Sequence, residues 1–546
     1  MAADEVFEKL TKQIMGRFFE ANPDYATFVG LHDPYDHLMP NGSSERLIQN
    51  LNLMEEGLKS LEETVNREEL SDDHKTDWEI IEKAHERSKF DFYEWRMHEL
   101  NPDIFEELGG LIFIMFTRDY APMEKRLDAI AARIEKMPKY LEEFQSRFAK
   151  SQPVKLWVEI AIDKAQQVGG LFQFILFATK GQVSDKTYER LSNAVTALEP
   201  ALKLHLEWLQ GLLPKAHGEW AMGKDKFERL LQLRELGLTS DEIYRLGVKY
   251  LGELKAERER LVAQYAPGKS VEEAFKVIEG RSPRTFEEAL ELTRKTMEEA
   301  RSFVQEKSLA TVYPEDVLLV KETPGFMVPV IPFAAMIMSA KFDRPQIGIY
   351  VVTRPKDMAN LGKHLNFPSI RNTAVHEAFP GHFLQGAISN RGSLVRILAD
   401  GTETVEGWAH YCEELMAKKG FTGDLETRLV QTNDMIWRAV RIIVDVKLAR
   451  GEMSVNDAVA MLVKETGMSN EAAVAEVHRY TQTPGYALSY LLGKHLLLKL
   501  KEEVKQKMGD RFDEKFFHDA ILADGYLPIS MLRKIFDRKI TKHLSK

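Results

Sequence analysis

Apolar residues recur every three or four positions, between charged ones, along most of the chain. The segments 123–149 and 244–266, for example, read MEKRLDAIAARIEKMPKYLEEFQSRFA and YRLGVKYLGELKAERERLVAQYA. This spacing places the apolar side chains on one face of a helix and the charged side chains on the other. It predicts that the first half of the chain is almost entirely helical.

One stretch, from about Val317 to Arg354, breaks this pattern. It contains VLLVKETPGFMVPVIPF and QIGIYVVTRP, which are rich in β-branched and aromatic residues and are interrupted by proline and glycine. Such segments are typical of short strands. The sequence therefore predicts a small β-sheet at about 317–354, followed by a return to helices up to the C-terminus.

The length of the chain predicts more than one lobe. A chain of 546 residues is longer than a single hydrophobic core usually needs. The loop PGKS, at 267–270, is the candidate boundary, because proline and glycine separate two helical segments there. We expect a helical N-terminal lobe at 1–267 and a second lobe at 268–546, which contains the sheet.

Composition and charge narrow the classes of function. The chain is 44% hydrophobic and 29% charged, as is ordinary for a globular protein, and its net charge of -10 is spread along the sequence. No basic stripe with interleaved aromatic residues occurs, so nucleic acid is not an expected partner. The single cysteine, Cys412, and a charged N-terminal segment without an apolar signal region predict a cytoplasmic protein.

The two most apolar runs are predicted to be buried core segments. LGGLIFIMF, at 108–116, is too short to cross a bilayer, and FMVPVIPFAAMIMSA, at 326–340, contains two prolines. We therefore expect no membrane anchor.

The sequence HEAFPGH, at 376–382, is the strongest candidate for chemistry. Many zinc peptidases place two histidines four residues apart, about 40° apart around a helix, so that both reach one metal ion. His376 and His382 are six residues apart, which leaves them about 120° apart on a regular helix. Because Pro380 removes a backbone donor and Gly381 accepts unusual backbone angles, we expect the helix to break there and to return His382 toward His376.

A third metal ligand is expected on the next predicted helix. The segment TETVEGWAHYCEELMAKKG, at 402–420, has a threonine start signal and a terminal glycine, and it places Glu406, His410 and Glu413 on one helical face. Catalytic zinc sites usually keep three protein ligands and one open position. We take Glu406 as the third ligand, and His410 and Glu413 as groups that orient the ligands. Glu377 adjoins the first ligand, where it can act as the general base toward a water molecule that the metal activates.

A further candidate segment is EVHRYTQTPGYALSYLLGKH, at 476–495. The Thr-Pro-Gly sequence breaks the helical pattern before Tyr486 and Tyr490, which are four residues apart and are expected on one helical face. A phenol near the metal can donate a hydrogen bond to the oxyanion that forms when water attacks a peptide carbonyl, a role that we give to Tyr490. Arg479 can hold a substrate carboxylate, and Tyr486 is a second candidate for substrate binding.

Each of these patterns also has a simpler interpretation. In a chain with 15 histidines, the two halves of HEAFPGH can co-occur by chance, and a Glu/His face is often only a solvated helix surface. Tyrosines and an arginine at a helix start are commonly packing residues. The metal interpretation is favoured because two separate segments both offer ligand chemistry.

The chain resembles the DUF885 family, a group named for its unknown function. The resemblance is carried by four segments that span most of the chain: NPDYATFVGLHDPYDHL, HEAFPGHFLQ, EGWAHYCEELM and RYTQTPGYALSYLLGK. Proteins of this family look like zinc metallopeptidases of the gluzincin superclass, in which a glutamate is the third ligand. The resemblance implies one zinc ion on His376, His382 and Glu406, with Glu377 as the catalytic base.

A looser resemblance is to the thimet-type oligopeptidases. In those enzymes a Gly-Tyr-x-x-x-Tyr stretch supplies phenols to the transition state, and Gly485, Tyr486 and Tyr490 reproduce the spacing. Their third-ligand glutamate is followed by another glutamate seven residues later, as Glu406 is by Glu413. The implied fold is mainly α: a large, two-lobed helical shell around a deep channel. A small sheet lies next to the zinc-motif helix, with an edge that can pair with an extended peptide.

The expected function is that of a zinc-dependent metallopeptidase that hydrolyses short peptides. Cleavage at the end of a peptide and cleavage within it both stay open. One alternative is a zinc hydrolase of a non-peptide amide. Another is a helical binding protein in which the motif is structural or inactive.

Overall fold

The chain forms two compact units. A computed structural model describes residues 2–323, 328, 331 and 333–544. The N-terminal unit comprises Met1–Trp220 and Ala340–Asp343, and the C-terminal unit comprises Ala221–Ser339 and Arg344–Lys546. The candidate lobe boundary at 267 lies within the C-terminal unit, because the helix before it, Ser240–Tyr265, packs along the helix Leu425–Ala449.

The N-terminal unit is helical, as predicted. Serine side chains accept a backbone N–H at the start of several of its helices, at Ser43, Ser71 and Ser184. The helices are α1 (Ala3–Ala21), α2 (Pro23–Phe28), α3 (Ser44–Thr64), α4 (Asp72–Lys89), α5 (Met97–Leu100), α6 (Phe105–Thr117), α7 (Met123–Ile134), α8 (Met137–Ser146), α9 (Lys155–Thr179) and α10 (Asp185–Leu212).

The apolar run at 108–116 belongs to the core of this unit. It lies in α6, and its residues Leu108, Ile112 and Met115 are buried against α7, α9 and α10. The prediction that this run is buried core is therefore confirmed. No helix in the described part of the chain is long and apolar enough to cross a membrane.

The C-terminal unit contains the sheet and the remaining described helices. These are α11 (Lys224–Leu233), α12 (Ser240–Tyr265), α13 (Val271–Glu279), α14 (Phe286–Glu306), α15 (Leu361–His364), α16 (Phe367–Thr373), α17 (His382–Ser389), α18 (Thr402–Lys419), α19 (Leu425–Ala449), α20 (Val455–Thr466), α21 (Asn470–Gln482), α22 (Ser489–Met508), α23 (Glu514–Asp524) and α24 (Ile529–Leu544). The helix predicted at 402–420 is confirmed as α18.

The predicted small sheet is also confirmed. It consists of β1 (Val317–Glu322), β2 (Ala334–Ile337) and β3 (Ile347–Val352) in the order β1-β3-β2, with β1 parallel and β2 antiparallel to β3. Within the segment predicted to form the sheet and the second apolar run, residues 324–327, 329, 330 and 332 lie outside the described residues. The prediction that the second run is buried core is wrong for Phe333–Ile337, because Phe333 is 56% exposed and β2 is at most partly buried. Gly348 of β3 lies directly against the ring of Phe383 in α17, so the sheet packs beside the HEAFPGH segment.

Helices α18 and α22 cross with their backbones in contact. A Cβ atom on Gly407 would lie 2.3 Å from the carbonyl carbon of Gly493, and one on Gly493 would lie 2.1 Å from the carbonyl oxygen of Glu403. No larger residue fits at either position. The crossing brings Glu406, which precedes Gly407, close to the beginning of α22.

Candidate metal centre

The HEAFPGH segment is a broken helix. Helix α16 continues into a π-helical turn, Ala374–Ala378, and the regular helix resumes only with His382 at the start of α17. A Cβ atom on Gly381 would lie 1.9 Å from the carbonyl oxygen of His376, a contact that only glycine avoids. The turn thus depends on Gly381, one of the two residues from which the break was predicted.

The break brings the two histidines of the motif together. The ring centroids of His376 and His382 are 4.9 Å apart, and the rings are nearly perpendicular. Both side chains remain partly exposed, at 13% and 16%. The indole N–H of Trp408 in α18 donates a hydrogen bond of 2.8 Å to the carbonyl oxygen of Pro380, which ties the broken segment to the next helix.

Glu406 of α18 completes a group that fits a zinc ion. Its Oε2 atom lies 3.7 Å from Nε2 of His382, and one ligand atom from each of His376, His382 and Glu406 lies within 4.8 Å of the others. Zinc bonds of about 2.0–2.1 Å in a tetrahedron place ligand atoms about 3.3 Å apart. To reach that spacing, the ligand atoms of this group would have to approach one another by up to about 1.5 Å.

Glu413 orients the first histidine. Its Oε1 atom accepts a hydrogen bond of 2.7 Å from Nδ1 of His376, and its Oε2 atom accepts one of 3.3 Å from the Asn372 amide. When His376 is neutral and keeps its proton on Nδ1, its Nε2 atom carries the free lone pair. A carboxylate in this position is the usual partner of a metal-binding histidine.

Burial and neighbouring charges shift the pKa values of the two motif histidines in opposite directions. Burial, helped by the charge of His376, lowers the pKa of His382 to about 4, so this ligand is neutral at pH 7. Burial also lowers the pKa of His376, but the Glu413 carboxylate outweighs it and leaves that pKa raised. Burial raises the pKa of Glu413, but His410 and His376 outweigh burial and leave that pKa well below its usual value. Glu413 therefore stays ionised.

A second group, His376, His410 and Glu413, also has ligand atoms within 4.8 Å of one another. Glu413 Oε1 lies 2.7 Å from His376 Nδ1 and 2.9 Å from His410 Nδ1, and the first of these contacts is a hydrogen bond that needs no metal. The His410 side chain is also completely buried, so no substrate reaches this position. The partly exposed group of His376, His382 and Glu406 is the better candidate for a catalytic metal.

Glu377 projects a carboxylate near the histidines. Its negative charge adds to burial in raising the pKa of Tyr350 in β3, and it acts on the pKa values of His376 and His382. Within the described ranges, no hydrogen bond engages this partly exposed carboxylate. It is therefore available to accept a proton.

One phenol, that of Tyr486, contacts Glu406, and a second, that of Tyr490, lies next to Tyr486. The Tyr486 hydroxyl donates a hydrogen bond of 3.1 Å to Glu406 Oε1, and the Tyr490 ring lies 6.0 Å from the Tyr486 ring and 5.9 Å from the His410 ring. Burial, with the charge of Glu406, raises the pKa of Tyr486, so its hydroxyl remains a donor at neutral pH. The expectation that both tyrosines lie on one helix is wrong, because α22 begins at Ser489 and Tyr486 lies in the preceding turn.

Asp445 of α19 holds that turn in place. Its buried carboxylate accepts the backbone N–H of Gly485 at 2.8 Å and that of Leu488 at 2.9 Å. From the other side, Arg234 donates to the carbonyl oxygen of Gly485 and, at 2.8 Å, to the Ser489 hydroxyl. Backbone groups of the turn therefore form hydrogen bonds with these two side chains, and α22 does not extend into the turn.

Arg479 lies beside the same turn. Its guanidinium carbon is 5.9 Å from the Tyr486 ring, and its Nη2 atom donates to both carboxylate oxygens of Glu476 at 3.1 and 3.0 Å. The side chain is 42% exposed. The structure thus brings all nine sequence-predicted site residues into one region of the C-terminal unit.

Sequence reasoning missed Arg441 and Asp445. Both lie in the apolar segment IWRAVRIIVDVKLA of α19 and are only 4% and 1% exposed. Charged residues are rarely buried unless they are paired. Two charged residues on the apolar face of a predicted helix could therefore have indicated buried, paired groups. Asp445 is paired with the backbone N–H groups of Gly485 and Leu488, and Arg441 is paired with the carboxylate of Glu476.

The fold and the site define a mainly helical protein with a small mixed sheet and a partly exposed His-His-Glu cluster. Residues 23–535 match the family described as bacterial protein of unknown function (DUF885), and the chain belongs to this family. No curated protein matches the chain significantly.

Two solved structures share the fold over their full length. One is a protein of unknown function from Shewanella oneidensis, provisionally described as a lipoprotein, with a TM-score of 0.78, 21% identity, and coverage of 97% of this chain and 99% of its own. The other, from Colwellia psychrerythraea and also provisionally described as a lipoprotein, has a TM-score of 0.82, 19% identity, and coverage of 99% and 100%. At these identities the likeness shows the fold alone.

Proposed function

We propose that the protein is a zinc-dependent peptidase that hydrolyses short peptides. The observation that carries this proposal is the convergence of His376, His382 and Glu406. Next to the first histidine lies the Glu377 carboxylate, which no hydrogen bond engages among the described residues. Three protein ligands with an open side are characteristic of catalytic zinc, whereas structural zinc is usually enclosed by four.

His376, His382 and Glu406 would hold the ion. When bound, zinc supplies Lewis-acid chemistry, which polarises a peptide carbonyl and lowers the pKa of a water molecule. Glu377 takes a proton from the attacking water and then delivers it to the nitrogen of the departing amine. Its carboxylate suits this role because no neighbouring side chain in the described ranges already occupies it.

Tyr490 is the proposed donor to the carbonyl oxygen on which negative charge develops. The hydroxyl of Tyr486 already donates to Glu406, so its first role is to orient that ligand. Tyr490 lies next to it at the beginning of α22, with its ring fixed against the guanidinium of Arg441 at 4.4 Å. A fixed donor stabilises the transition state without the cost of reorganisation.

The decisive experiment combines metal analysis with peptide digestion. We expect one zinc ion per chain after purification without chelators, and cleavage of a short-peptide library detected by mass spectrometry. Glu377→Gln should retain zinc and lose at least about 100-fold in kcat, as expected for removal of a general base. Glu298→Gln, on an exposed position of α14, is the matched control and should leave both properties unchanged.

Two outcomes would count against the proposal. A protein that neither retains nor takes up zinc has no metal centre of this kind. If zinc is bound but only non-peptide amides are hydrolysed, the metal chemistry stands and the substrate class is wrong.

A further inference from the structure

Two arginines next to the candidate metal centre share a single carboxylate. Arg441 Nη2 donates to Glu476 Oε2 at 2.8 Å, and Arg479 Nη2 donates to both oxygens of the same carboxylate. The Tyr480 hydroxyl also donates to Glu476. Burial raises the pKa of Glu476, but the two arginines outweigh it and lower that pKa to about 2. The cluster therefore carries two positive charges and one negative charge at neutral pH.

Arg441 is fixed in this cluster. Its guanidinium lies 4.2 Å from the Trp437 ring and 4.4 Å from the Tyr490 ring, and its Nε atom donates to the Tyr480 hydroxyl at 2.8 Å. The side chain is only 5% exposed. It cannot turn toward another carboxylate, so its charge stays in place.

Arg479 is the arginine that can receive a ligand. It is 42% exposed, and only its Nη2 atom is engaged within the described part of the chain, which leaves Nε and Nη1 for an incoming acceptor. The planar guanidinium fork matches a carboxylate and can bind both of its oxygens. The excess positive charge of the cluster favours an anionic ligand at this point.

The cluster of Arg441, Arg479 and Glu476 lies next to the candidate metal centre. Arg479 lies 5.9 Å from the ring of Tyr486, whose hydroxyl donates to Glu406. Tyr490 contacts Arg441 on one side and lies near His410 and Tyr486 on the other. A single layer of tyrosine side chains thus separates the positive cluster from the candidate ligands.

We propose that Arg479, supported by Arg441, binds the C-terminal carboxylate of the substrate, so that the protein acts as a carboxypeptidase. This inference rests on the proposed peptidase function and specifies its substrate. Water adds its hydroxyl to the carbonyl carbon of a peptide bond near the C-terminus, the C–N bond breaks, and the amine nitrogen gains the proton. The products are a shortened peptide and a C-terminal fragment that keeps its own carboxylate.

The test measures binding separately from hydrolysis. Zinc-loaded Glu377→Gln protein is titrated calorimetrically with three probes: N-acetyl-Ala-Ala-Phe as the free acid, the same peptide as its C-terminal amide, and N-acetyl-Ala-Ala-Asp amide. The last probe carries its carboxylate on a side chain. We expect the free acid to bind at least 10-fold more tightly than either amide.

Arg479→Gln, made in the same background, should abolish this preference. The matched control is Arg260→Gln in α12: Arg260 also pairs with a glutamate three residues earlier, Glu257, which is likewise shared with a second arginine, Arg428. This control should keep the preference. If zinc binding is the same in both variants, a general loss of structure cannot explain the result.

The outcomes are distinct. Equal binding of the free acid and its amide overturns the inference, and so does a preference that survives Arg479→Gln. Equal binding of the free acid and the aspartyl amide shows a general anion site and overturns recognition of the C-terminus. If the wild-type protein prefers the free acid but cleaves no peptide, the carboxylate site stands and the proposed peptidase function fails.

Discussion

The hydrogen bond between Glu413 and His376 fixes the orientation of a histidine that we propose as a metal ligand. We predict that Glu413→Gln lowers zinc affinity about 10–100-fold, because the neutral amide no longer holds the Nδ1 proton of His376 as strongly. Glu406→Gln should lower it further, because it replaces a proposed ligand. Competition with a chromogenic chelator measures both. The reverse order would mean that Glu413 is the ligand and Glu406 the orienting group.

His205, in α10, gives a residue-level prediction about pH. Its side chain is completely buried, and burial lowers its pKa to about 4. The unfolded chain, with a histidine pKa of about 6.5, therefore binds the proton more tightly than the folded chain does. The contribution of His205 to the free energy of unfolding is fully present above pH 6.5 and is lost as the pH falls toward 4. The loss from this residue is about 2–3 kcal/mol.

His205→Leu removes this titration. In urea titrations at pH 7 and pH 4.5, the variant should lose about 2 kcal/mol less of its unfolding free energy than the wild type does. The side chain of His217 is exposed, so His217→Leu is the control and should follow the wild type. An equal loss in all three proteins would show that His205 is not buried in its neutral form.

Helices, strands and turns that depend on neighbouring residues were predictable from the sequence. Features that depend on contacts between distant segments were not. The helices followed from their apolar spacing, and the break at Pro380 and Gly381 followed from the backbone properties of these two residues. The turn that carries Tyr486 was not predictable, because Asp445, which holds it, is 40 residues away in sequence. The compact units follow contacts such as that of α12 with α19, which are not visible in the sequence near 267.

The π-helical turn before Gly381 should not tolerate the addition of one methyl group at this residue. Gly381→Ala places a Cβ atom where the carbonyl oxygen of His376 lies, so the turn must open and the histidines must separate. We expect a loss of more than about 2 kcal/mol in unfolding free energy, together with a loss of zinc affinity. Urea titration and chelator competition measure the two effects.

Gly252→Ala is the control for this change. Gly252 lies inside α12, and nothing lies within 4 Å of the position of its Cβ atom. Alanine should stabilise this helix by up to about 1 kcal/mol and leave zinc affinity unchanged. If Gly381→Ala behaved like this control, the turn would not depend on glycine.

For the whole molecule, metal binding should appear as stability. An ion that binds only the folded chain adds about 2.7 kcal/mol at a concentration 100 times its Kd. We therefore predict that zinc raises Tm by about 2–4 °C, measured by calorimetry, and that a chelator reverses the increase. His382→Asn should remove most of the effect. A Tm that ignores zinc in the wild type would contradict the proposed metal centre.

The match to DUF885 and the shared fold extend over nearly the whole chain. They establish the family and the fold, and the proposed chemistry is argued from individual side chains. The mainly helical fold with a small sheet was predictable, and so was the group of residues from which the site is built. The deep channel and the cytoplasmic location stay predictions. The shared use of Glu476 by Arg441 and Arg479 could not be predicted, because it depends on packing between α19 and α21.

The crossing of α18 and α22 has a consequence for how the site tolerates change. Because Gly407 and Gly493 meet backbone to backbone, the spacing between Glu406 and Tyr490 depends on main-chain atoms, which have few alternative positions. Volume-conserving replacements elsewhere in the core usually cost less than about 1.5 kcal/mol, and we expect them to leave this pair in place. The site should therefore withstand extensive repacking and yet be lost through one added carbon atom at the crossing.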